Sequence, residues 1–252
     1  MRTISETIKA LIIVNIIFFI GSNFLGEGAH IITDSIAGRL FSLYYFEHPN
    51  FRFWQPLTHM FMHGGLMHIL FNMYALWAFG SPLEMNWGTK KFLFFYFSAG
   101  FGAALIHTLV NYYQIQEGMS ALLNIGMNQS EIMSMLTTGQ YNSGILEAVS
   151  VESIESLYVS FNTPAVGASG AIYGVLVAFG MMYPNAELML IFLPIPIKAK
   201  YFIPIIIAGD LFFGISGTAT GIAHFAHIGG ALFGFIMAYY WKKNSFDSHR
   251  WN

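Results

Sequence analysis

A serine set among small residues is the first candidate for chemistry in this 252-residue chain. The segment from Val166 reads VGASGAIYG, so the Ser169 hydroxyl lies between two glycines, Gly167 and Gly170. If a helix begins there, its first backbone N–H groups lack intrahelical partners and can hold a negatively charged oxygen. The alternative is structural, because Gly170 and Gly174 also have the small-residue spacing with which membrane helices pack. Both interpretations stay open from this segment alone.

A second small-residue segment contains a candidate base. It reads HFAHIGGALFG from His224, and small residues recur in it at intervals of four: Ala226, Gly230 and Gly234. Such a stripe lets one helix press closely against another. His227 lies beside the stripe, and an imidazole is the commonest general base in enzymes. A helix bearing Ser169 and a helix bearing His227 are therefore expected to form a close pair.

A third segment is rich in histidine, with His59, His63 and His68 followed by Asn72. His68 and Asn72 are four residues apart, so they share one helical face. Both side chains can donate hydrogen bonds through nitrogen, and such a pair can stabilise developing negative charge. The same residues can instead join helices by hydrogen bonds, as buried polar groups do in membrane bundles.

The composition requires much of the chain to face lipid. Hydrophobic residues make up 55% of it and charged residues only 10%, whereas soluble domains carry about 25% charged residues. A net charge of -2 argues against a nucleic-acid partner. The absence of cysteine excludes disulfides and thiolate–metal sites. The length suits one compact bundle rather than several domains.

Six segments approach the ~20 apolar residues that a membrane-spanning helix needs. They cover residues 8–24, 57–79, 92–113, 165–183, 201–215 and 222–241. We therefore predict an all-α polytopic membrane protein, a six-transmembrane-helix bundle that forms a single domain over residues 1–252. The first segment is interpreted as a span rather than a signal peptide, because no A-x-A-like cleavage site follows it. The proline-containing stretch 188–197 is expected to be an interfacial connection.

Basic residues predict the orientation of the bundle. With six spans and both termini in the cytoplasm, nine of the eleven Lys and Arg residues fall inside, and only Arg39 and Arg52 fall outside. Ser169, His227 and His68 then lie at a similar depth, near the outer ends of their spans. This shared depth is independent of the hydropathy and charge that set the topology, and it favours a single site.

Two long loops are predicted on the outer side. Residues 25–56 contain many aromatic side chains, which favour the membrane–water boundary, so this loop is expected to lie against the bilayer. Residues 114–163 form an insertion with five glutamates and no Lys or Arg. Its apolar residues Ile154, Leu157, Tyr158 and Phe161 have helical spacing. A short acidic amphipathic helix is therefore expected over the outer mouth.

As an ordered set, these motifs resemble the rhomboid family of intramembrane serine proteases. The motifs are His68-x-x-x-Asn72, Gly167-x-Ser169-Gly170 and Ala226-His227-x-Gly229-Gly230. The resemblance runs from about Phe51 to Tyr240 and includes Trp54, Glu84, Gly88 and Tyr173. It implies a six-helix core, a Ser–His dyad without an aspartate, and cleavage of transmembrane substrates near their outer ends.

The resemblance also implies a role for each matching residue. Ser169 would be the nucleophile and His227 the general base. His68, Asn72 and the Ser169 backbone N–H, preceded by Gly167, would form the oxyanion hole. Tyr173 would pack against the His227 ring and orient it.

Two positions depart from a simple transfer of the family pattern. His224 lies one helical turn before His227, where family members vary, and it is given no catalytic role. Gln55 stands where some members have arginine, which puts the lipid contacts of the first loop in doubt.

The implied partners are transmembrane protein substrates and the lipid bilayer, with no cofactor and no metal. The bilayer is expected to be a bacterial inner membrane, because the chain is compact and lacks targeting extensions. Two alternatives stay open. One is a non-catalytic rhomboid-like client binder or chaperone, and the other is a metal-dependent enzyme or transporter using His59, His63 and His68. The natural substrate and the oligomeric state do not follow from the sequence.

Overall fold

The computed structural model describes residues 4–24, 35–190, 193–217 and 220–244, and these are mostly helical. The helices are α1 (Glu6–Phe24), α2 (Ile36–Phe41), α3 (Gln55–Thr58), α4 (Leu66–Ala75), α5 (Ser81–Trp87), α6 (Thr89–Asn124), α7 (Gln129–Thr138), α8 (Val151–Asn162), α9 (Ser169–Met182), α10 (Ala199–Ser216) and α11 (His224–Asn244). Short 3-10 helices cover His59–Phe61 and Ser143–Glu147, and a π-helix covers Leu76–Gly80. The predicted helical membrane fold is confirmed.

Three of these helices are long and apolar enough to cross a membrane, namely α1, α6 and α10. The shorter apolar helix α9 lies where the fourth span was predicted. The α4 and π-helices occupy the second predicted span, and α11 occupies the sixth. The number of spans, six, stays a prediction.

The centre of the bundle is the packing of α11 against α6 and α9. Glycines make this packing close, because a Cβ on Gly229 would lie 2.9 Å from the Gly102 carbonyl oxygen on α6. Buried side chains around this centre include Phe92, Phe95 and Tyr96 of α6. The closest approach of α9 and α11 lies near the beginnings of both helices.

The second predicted span is not one continuous helix. The α3 and 3-10 turns end at Met62, which is extended, and α4 begins only after Gly65. Gly65 has φ 169 and ψ 169, an extended backbone. The Gly64–Gly65 pair lowers helix propensity at this point, so the chain breaks there and places His68 in the first turn of α4.

The 114–163 insertion is largely helical. The 36 residues of α6 extend about 54 Å at 1.5 Å per residue, so its last third belongs to the insertion. There α7 and α8 pack over α6, and a separate apolar cluster includes Ile115, Leu122 and Leu157. The predicted amphipathic helix is confirmed as α8, although Tyr158 lies off its buried face at 37% exposure.

The proline-containing stretch 188–197 forms most of a β-hairpin. Strand β1 (Glu187–Leu190) pairs antiparallel with β2 (Leu193–Lys198), with Glu187 opposite Lys198 and Leu188 opposite Ile197. In a two-stranded ribbon both strands are edges, where proline is tolerated. The hairpin connects α9 to α10.

Glu84 fixes the beginning of α1. Its carboxylate accepts backbone N–H groups of Thr7 at 3.3 Å and Ile8 at 3.2 Å, and hydroxyl groups of Ser5 and Thr89. Burial alone would raise the pKa of Glu84. The hydrogen bonds from these partners lower the pKa by more than burial raises it, so it lies below its usual value. The carboxylate therefore satisfies N–H groups that the start of a helix leaves without partners.

Gln55 holds the described part of the first predicted outer loop together. It is fully buried, and its amide nitrogen donates to the carbonyl oxygens of Arg39 at 3.1 Å and Asn50 at 2.8 Å. A backbone bridge between Leu43 and Ala165 ties the same loop to the segment before α9. The Gln55 side chain therefore makes its contacts inside the protein, so having glutamine instead of arginine at this position does not affect a lipid contact.

Candidate active site

Ser169 is the first residue of α9, and the backbone before it is firmly placed. Gly167 has φ +119, a conformation that favours glycine. Its N–H donates to the His59 carbonyl oxygen at 2.9 Å, and the His59 ring nitrogen Nδ1 in turn lies 2.9 Å from the Gln55 carbonyl oxygen. The outer loop and the 3-10 turn thus fix the direction in which the chain enters α9.

The close packing of α9 and α11 brings Ser169 to His227. A Cβ on Gly230 would lie 1.8 Å from the Gly170 carbonyl oxygen, so only glycine fits there. The predicted small-residue pairing of the two helices is confirmed by this contact. At the same end of the pair, Ser169 Oγ lies 2.9 Å from His227 Nε2, within hydrogen-bond distance.

Tyr173 lies one helical turn after Ser169 and covers the imidazole. Its ring stacks on the His227 ring with centroids 4.1 Å apart and planes 11° apart. The Tyr173 hydroxyl donates to Oδ2 of Asp210 on α10. The structure therefore places Tyr173 where the sequence comparison expected it and adds a contact that was not expected.

Asp210 is the residue that the sequence analysis missed. Its Oδ1 lies 3.1 Å from His227 Nδ1 and 2.5 Å from His224 Nδ1. The carboxylate is only 7% exposed. A signal was available, since an ionisable residue inside a predicted span is costly and marks a functional position. The expected arrangement without an aspartate therefore does not describe the hydrogen bonds around His227.

His224 belongs to the same network. Its other ring nitrogen, Nε2, lies 2.6 Å from the Thr220 hydroxyl, and it is buried at 8% exposure. His224 has no predicted catalytic role, and the structure places it beside the Asp210 carboxylate rather than beside Ser169.

His68 approaches the serine from α4. Its Nε2 lies 2.8 Å from the point that a Cβ on Gly167 would occupy, and Ser169 Oγ lies 3.5 Å from the same point. The Gly64 N–H donates to His68 Nδ1 at 3.4 Å. A neutral imidazole that accepts at Nδ1 carries its proton on Nε2. His68 thus presents an N–H donor on the serine side.

Asn72 lies one turn beyond His68, and its amide nitrogen donates to the His68 carbonyl oxygen at 3.0 Å. It is buried, and it lines the same cavity as Ser169. The site also lies at the beginning of α9, whose first N–H groups receive no hydrogen bond from a described capping side chain. The site therefore brings side-chain and backbone donors near the serine hydroxyl.

A cavity of about 1700 Å³ contains these groups. Ser169, His227, His68 and Asn72 line its polar part, together with His107 and Asn111 of α6, which bond to each other at 3.2 Å. Apolar side chains line the rest, including Phe71 and Tyr74 of α4 and Phe202 and Ile206 of α10. The cavity lining therefore combines polar groups that can hold water with apolar side chains that can contact an apolar chain.

The histidine cluster offers little to a metal ion. The rings of His63 and His68 are 5.0 Å apart and edge-on. Among the described residues, no group of three or more His, Asp or Glu side chains is placed to hold a metal. The metal-site alternative therefore lacks a ligand set in this part of the chain.

Comparison with known proteins supplies the family. A model of the Rhomboid domain matches residues 50–127 and 118–244. The chain belongs to the rhomboid family. It is 32% identical over 179 residues to the presenilin-associated rhomboid-like protein, mitochondrial, of Bos taurus. The aligned region covers 71% of this chain and 35% of the bovine protein.

Two further rhomboid relatives are similar over more of the chain. The presenilin-associated rhomboid-like protein, mitochondrial, of Homo sapiens is 31% identical over 193 residues, covering 74% of this chain and 39% of that protein. Rhomboid protein 1, mitochondrial, of Saccharomyces cerevisiae is 26% identical over 242 residues, covering 88% of this chain and 66% of the yeast protein. The chain thus spans between about one third and two thirds of the length of these relatives.

The expectation of a bacterial inner membrane, with both termini in the cytoplasm, is wrong, because these similar rhomboid proteins are named as mitochondrial. The expectation depended on compactness and on the lack of a targeting extension. Compactness is a property of the shared rhomboid core, and the core carries no information about the membrane that holds it.

Proposed function

We propose that this rhomboid protein is an intramembrane serine endopeptidase that cleaves transmembrane proteins near one end of their membrane-spanning segments. The observation that carries the proposal is the 2.9 Å approach of Ser169 Oγ to His227 Nε2 beside a large cavity. A nucleophile and a base within hydrogen-bond distance are what covalent peptide hydrolysis requires. The names of the relatives favour a mitochondrial membrane as its location.

The first half of the reaction forms an acyl-enzyme. Ser169 Oγ attacks the carbonyl carbon of the scissile peptide, and its proton passes to His227 Nε2. The carbonyl oxygen becomes an oxyanion, and the His68 Nε2–H, the Asn72 amide and the first N–H groups of α9 stabilise it. When this intermediate collapses, the C–N bond breaks, and His227 returns the proton to the departing amine.

The second half consumes one water molecule. The water oxygen attacks the ester carbon while His227 takes a proton from the water. The bond from this carbon to Ser169 Oγ then breaks as His227 returns the proton to the serine. Water in the hydrocarbon region must be held by protein groups. The polar part of the cavity, with His107 and Asn111, supports such a hydrated site.

The shape of the cavity supports a transmembrane substrate. Its apolar lining includes Phe71 of α4 and Phe202 of α10. A substrate helix must unwind locally before its carbonyl group is accessible, since helical backbone groups bond to each other. Small or helix-breaking residues near the cleavage point are therefore expected to favour turnover.

The test is labelling with a fluorophosphonate, which modifies activated serines. Purified wild-type protein in detergent is expected to label and to cleave at least one member of a panel of single-span substrates. Ser169→Ala is expected to abolish both while staying folded. Ser22→Ala is a matched control, because its hydroxyl bonds back to the Phe19 carbonyl oxygen within α1.

Equal labelling of the wild type and Ser169→Ala would contradict an activated serine at position 169. If neither protein labels or cleaves, but both bind single-span peptides with equal affinity, the non-catalytic client-binder alternative replaces the protease.

A further inference from the structure

Asp210 is an unusual residue for its place in the fold. It is the only acidic residue of α10, a helix long and apolar enough to cross the membrane. The carboxylate is buried at 7% exposure. A charged side chain in a membrane costs at least ~2.5–3.5 kcal/mol on insertion scales. Such a residue persists only where partners compensate for the lost water.

Three donors supply that compensation, and they come from two other helices. Tyr173 of α9 donates its hydroxyl to Oδ2, while His224 and His227 of α11 place their Nδ1 atoms 2.5 and 3.1 Å from Oδ1. An ionised carboxylate can only accept hydrogen bonds. Both imidazoles must therefore carry a proton on Nδ1 in the neutral state.

This assignment fixes the state of the base. With its proton on Nδ1, neutral His227 has an unprotonated Nε2, which can accept the Ser169 proton across 2.9 Å. His224 has the same tautomer for the same reason, and its unprotonated Nε2 can accept from the Thr220 hydroxyl, which lies 2.6 Å away. One carboxylate thus sets the tautomers of two adjacent histidines.

We propose that Asp210 is the third member of the catalytic group, a positioning residue that holds His227 in its reactive tautomer and stabilises its protonated form. The proposal rests on the proposed protease function. It differs from the Ser–His dyad that the family resemblance implied. Tyr173 and His224 hold the carboxylate in place, so the imidazole of His227 is fixed both at its face and at its edge.

The geometry distinguishes this role from simple helix packing. A carboxylate that only joined α10 to α11 would be satisfied by His224, which is the nearer histidine. Instead, Oδ1 lies within hydrogen-bond distance of both histidines. Tyr173 connects the two functions, since its ring stacks on His227 while its hydroxyl bonds to Oδ2.

The decisive variant is Asp210→Asn, which keeps the size of the side chain. The asparagine amide has one acceptor oxygen, whereas the aspartate uses two oxygens to accept from Tyr173, His224 and His227. The variant therefore cannot accept all three hydrogen bonds. The expected result is a fall in kcat of about 10²–10⁴-fold with little change in KM. Asp210→Glu, which retains the carboxylate, is expected to recover part of kcat. Glu84→Gln is the matched control, because it removes another buried carboxylate, one on α5 that accepts from the start of α1. It should lower thermal stability without lowering kcat.

A second measurement reads the imidazole directly. In protein with ¹⁵N-labelled histidine, nitrogen NMR assigned by His227→Asn should show the wild-type His227 protonated on Nδ1, and Asp210→Asn should lose that preference. Wild-type His227 protonated on Nε2, or an unchanged tautomer and kcat in folded Asp210→Asn, would overturn the proposal. The NMR measurement does not need turnover. An inactive wild type would therefore contradict the proposed protease function, while the tautomer of His227 would still test the role of Asp210.

Discussion

Adding one methyl group at Gly230 tests whether helix contact controls the site. In Gly230→Ala the new Cβ would lie 1.8 Å from the Gly170 carbonyl oxygen, whereas real Cβ atoms essentially never approach within 3.0 Å. The obstacle is backbone on α9, which no rotamer change can move. We therefore expect α9 and α11 to separate by roughly 1 Å near this contact.

The expected cost follows from that displacement. Overpacking of this kind costs about 1–3 kcal/mol of folding free energy. Ser169 immediately precedes Gly170 on α9, and His227 lies three residues before Gly230 on α11, so their 2.9 Å contact is next to the strain. A misplacement of about 1 Å can cost about 100-fold in rate. A loss of rate of about 100-fold corresponds to about 2.7 kcal/mol, so activity and stability should both fall by comparable free energies.

The assay compares the fluorophosphonate labelling rate, kcat on a single-span substrate and the thermal midpoint. Gly21→Ala in α1 is the matched control, because its new Cβ would meet no heavy atom of the described residues within 4 Å. It should keep wild-type activity and a midpoint at or slightly above that of the wild type, since alanine favours helix over glycine by about 1 kcal/mol. Wild-type labelling and an unchanged midpoint in Gly230→Ala would refute the link between close packing and catalytic geometry.

Two further predictions address the oxyanion site and the anchor of α1. His68→Ala should lower kcat by about 10²–10³-fold, because one donor to the oxyanion is lost; a raised KM at unchanged kcat in substrate-cleavage assays would assign His68 to substrate binding instead. Glu84→Gln should lower the unfolding free energy by about 1–3 kcal/mol at neutral pH, since a charged acceptor of several hydrogen bonds is removed. Because the folded pKa of Glu84 is lowered, its stabilisation is complete above the ordinary glutamate pKa and is lost as pH falls through the folded pKa. Thermal unfolding from pH 7 to pH 3 should show the difference between variant and wild type shrinking at acidic pH, and a constant difference would contradict this account.

Hydrophobic pattern predicted where lipid-facing helices lie but not where each helix begins or ends. Hydropathy measures compatibility with lipid, whereas helix continuity depends on backbone conformation. The second predicted span is broken at Gly65, and α6 continues to Asn124, well past the apolar segment. The extension is stabilised by α7 and α8, whose contacts involve residues distant in sequence.

The stretch 188–197 shows the same limit. Its prolines correctly argued against a continuous helix, but they did not specify the antiparallel pairing of β1 and β2. Pairing depends on register across the turn, which a proline count does not contain.

The sequence by itself determined the membrane class, the rhomboid resemblance and the residues that meet at the serine, because these depend on composition, spacing and ordered motifs. Small residues at fixed intervals even indicated that α9 and α11 would touch. Only the tertiary structure decided that Asp210 faces His227 and His224. That contact depends on how α10 is rotated about its own axis beside α11, and the rotation is set by the packing of the whole bundle rather than by any local pattern.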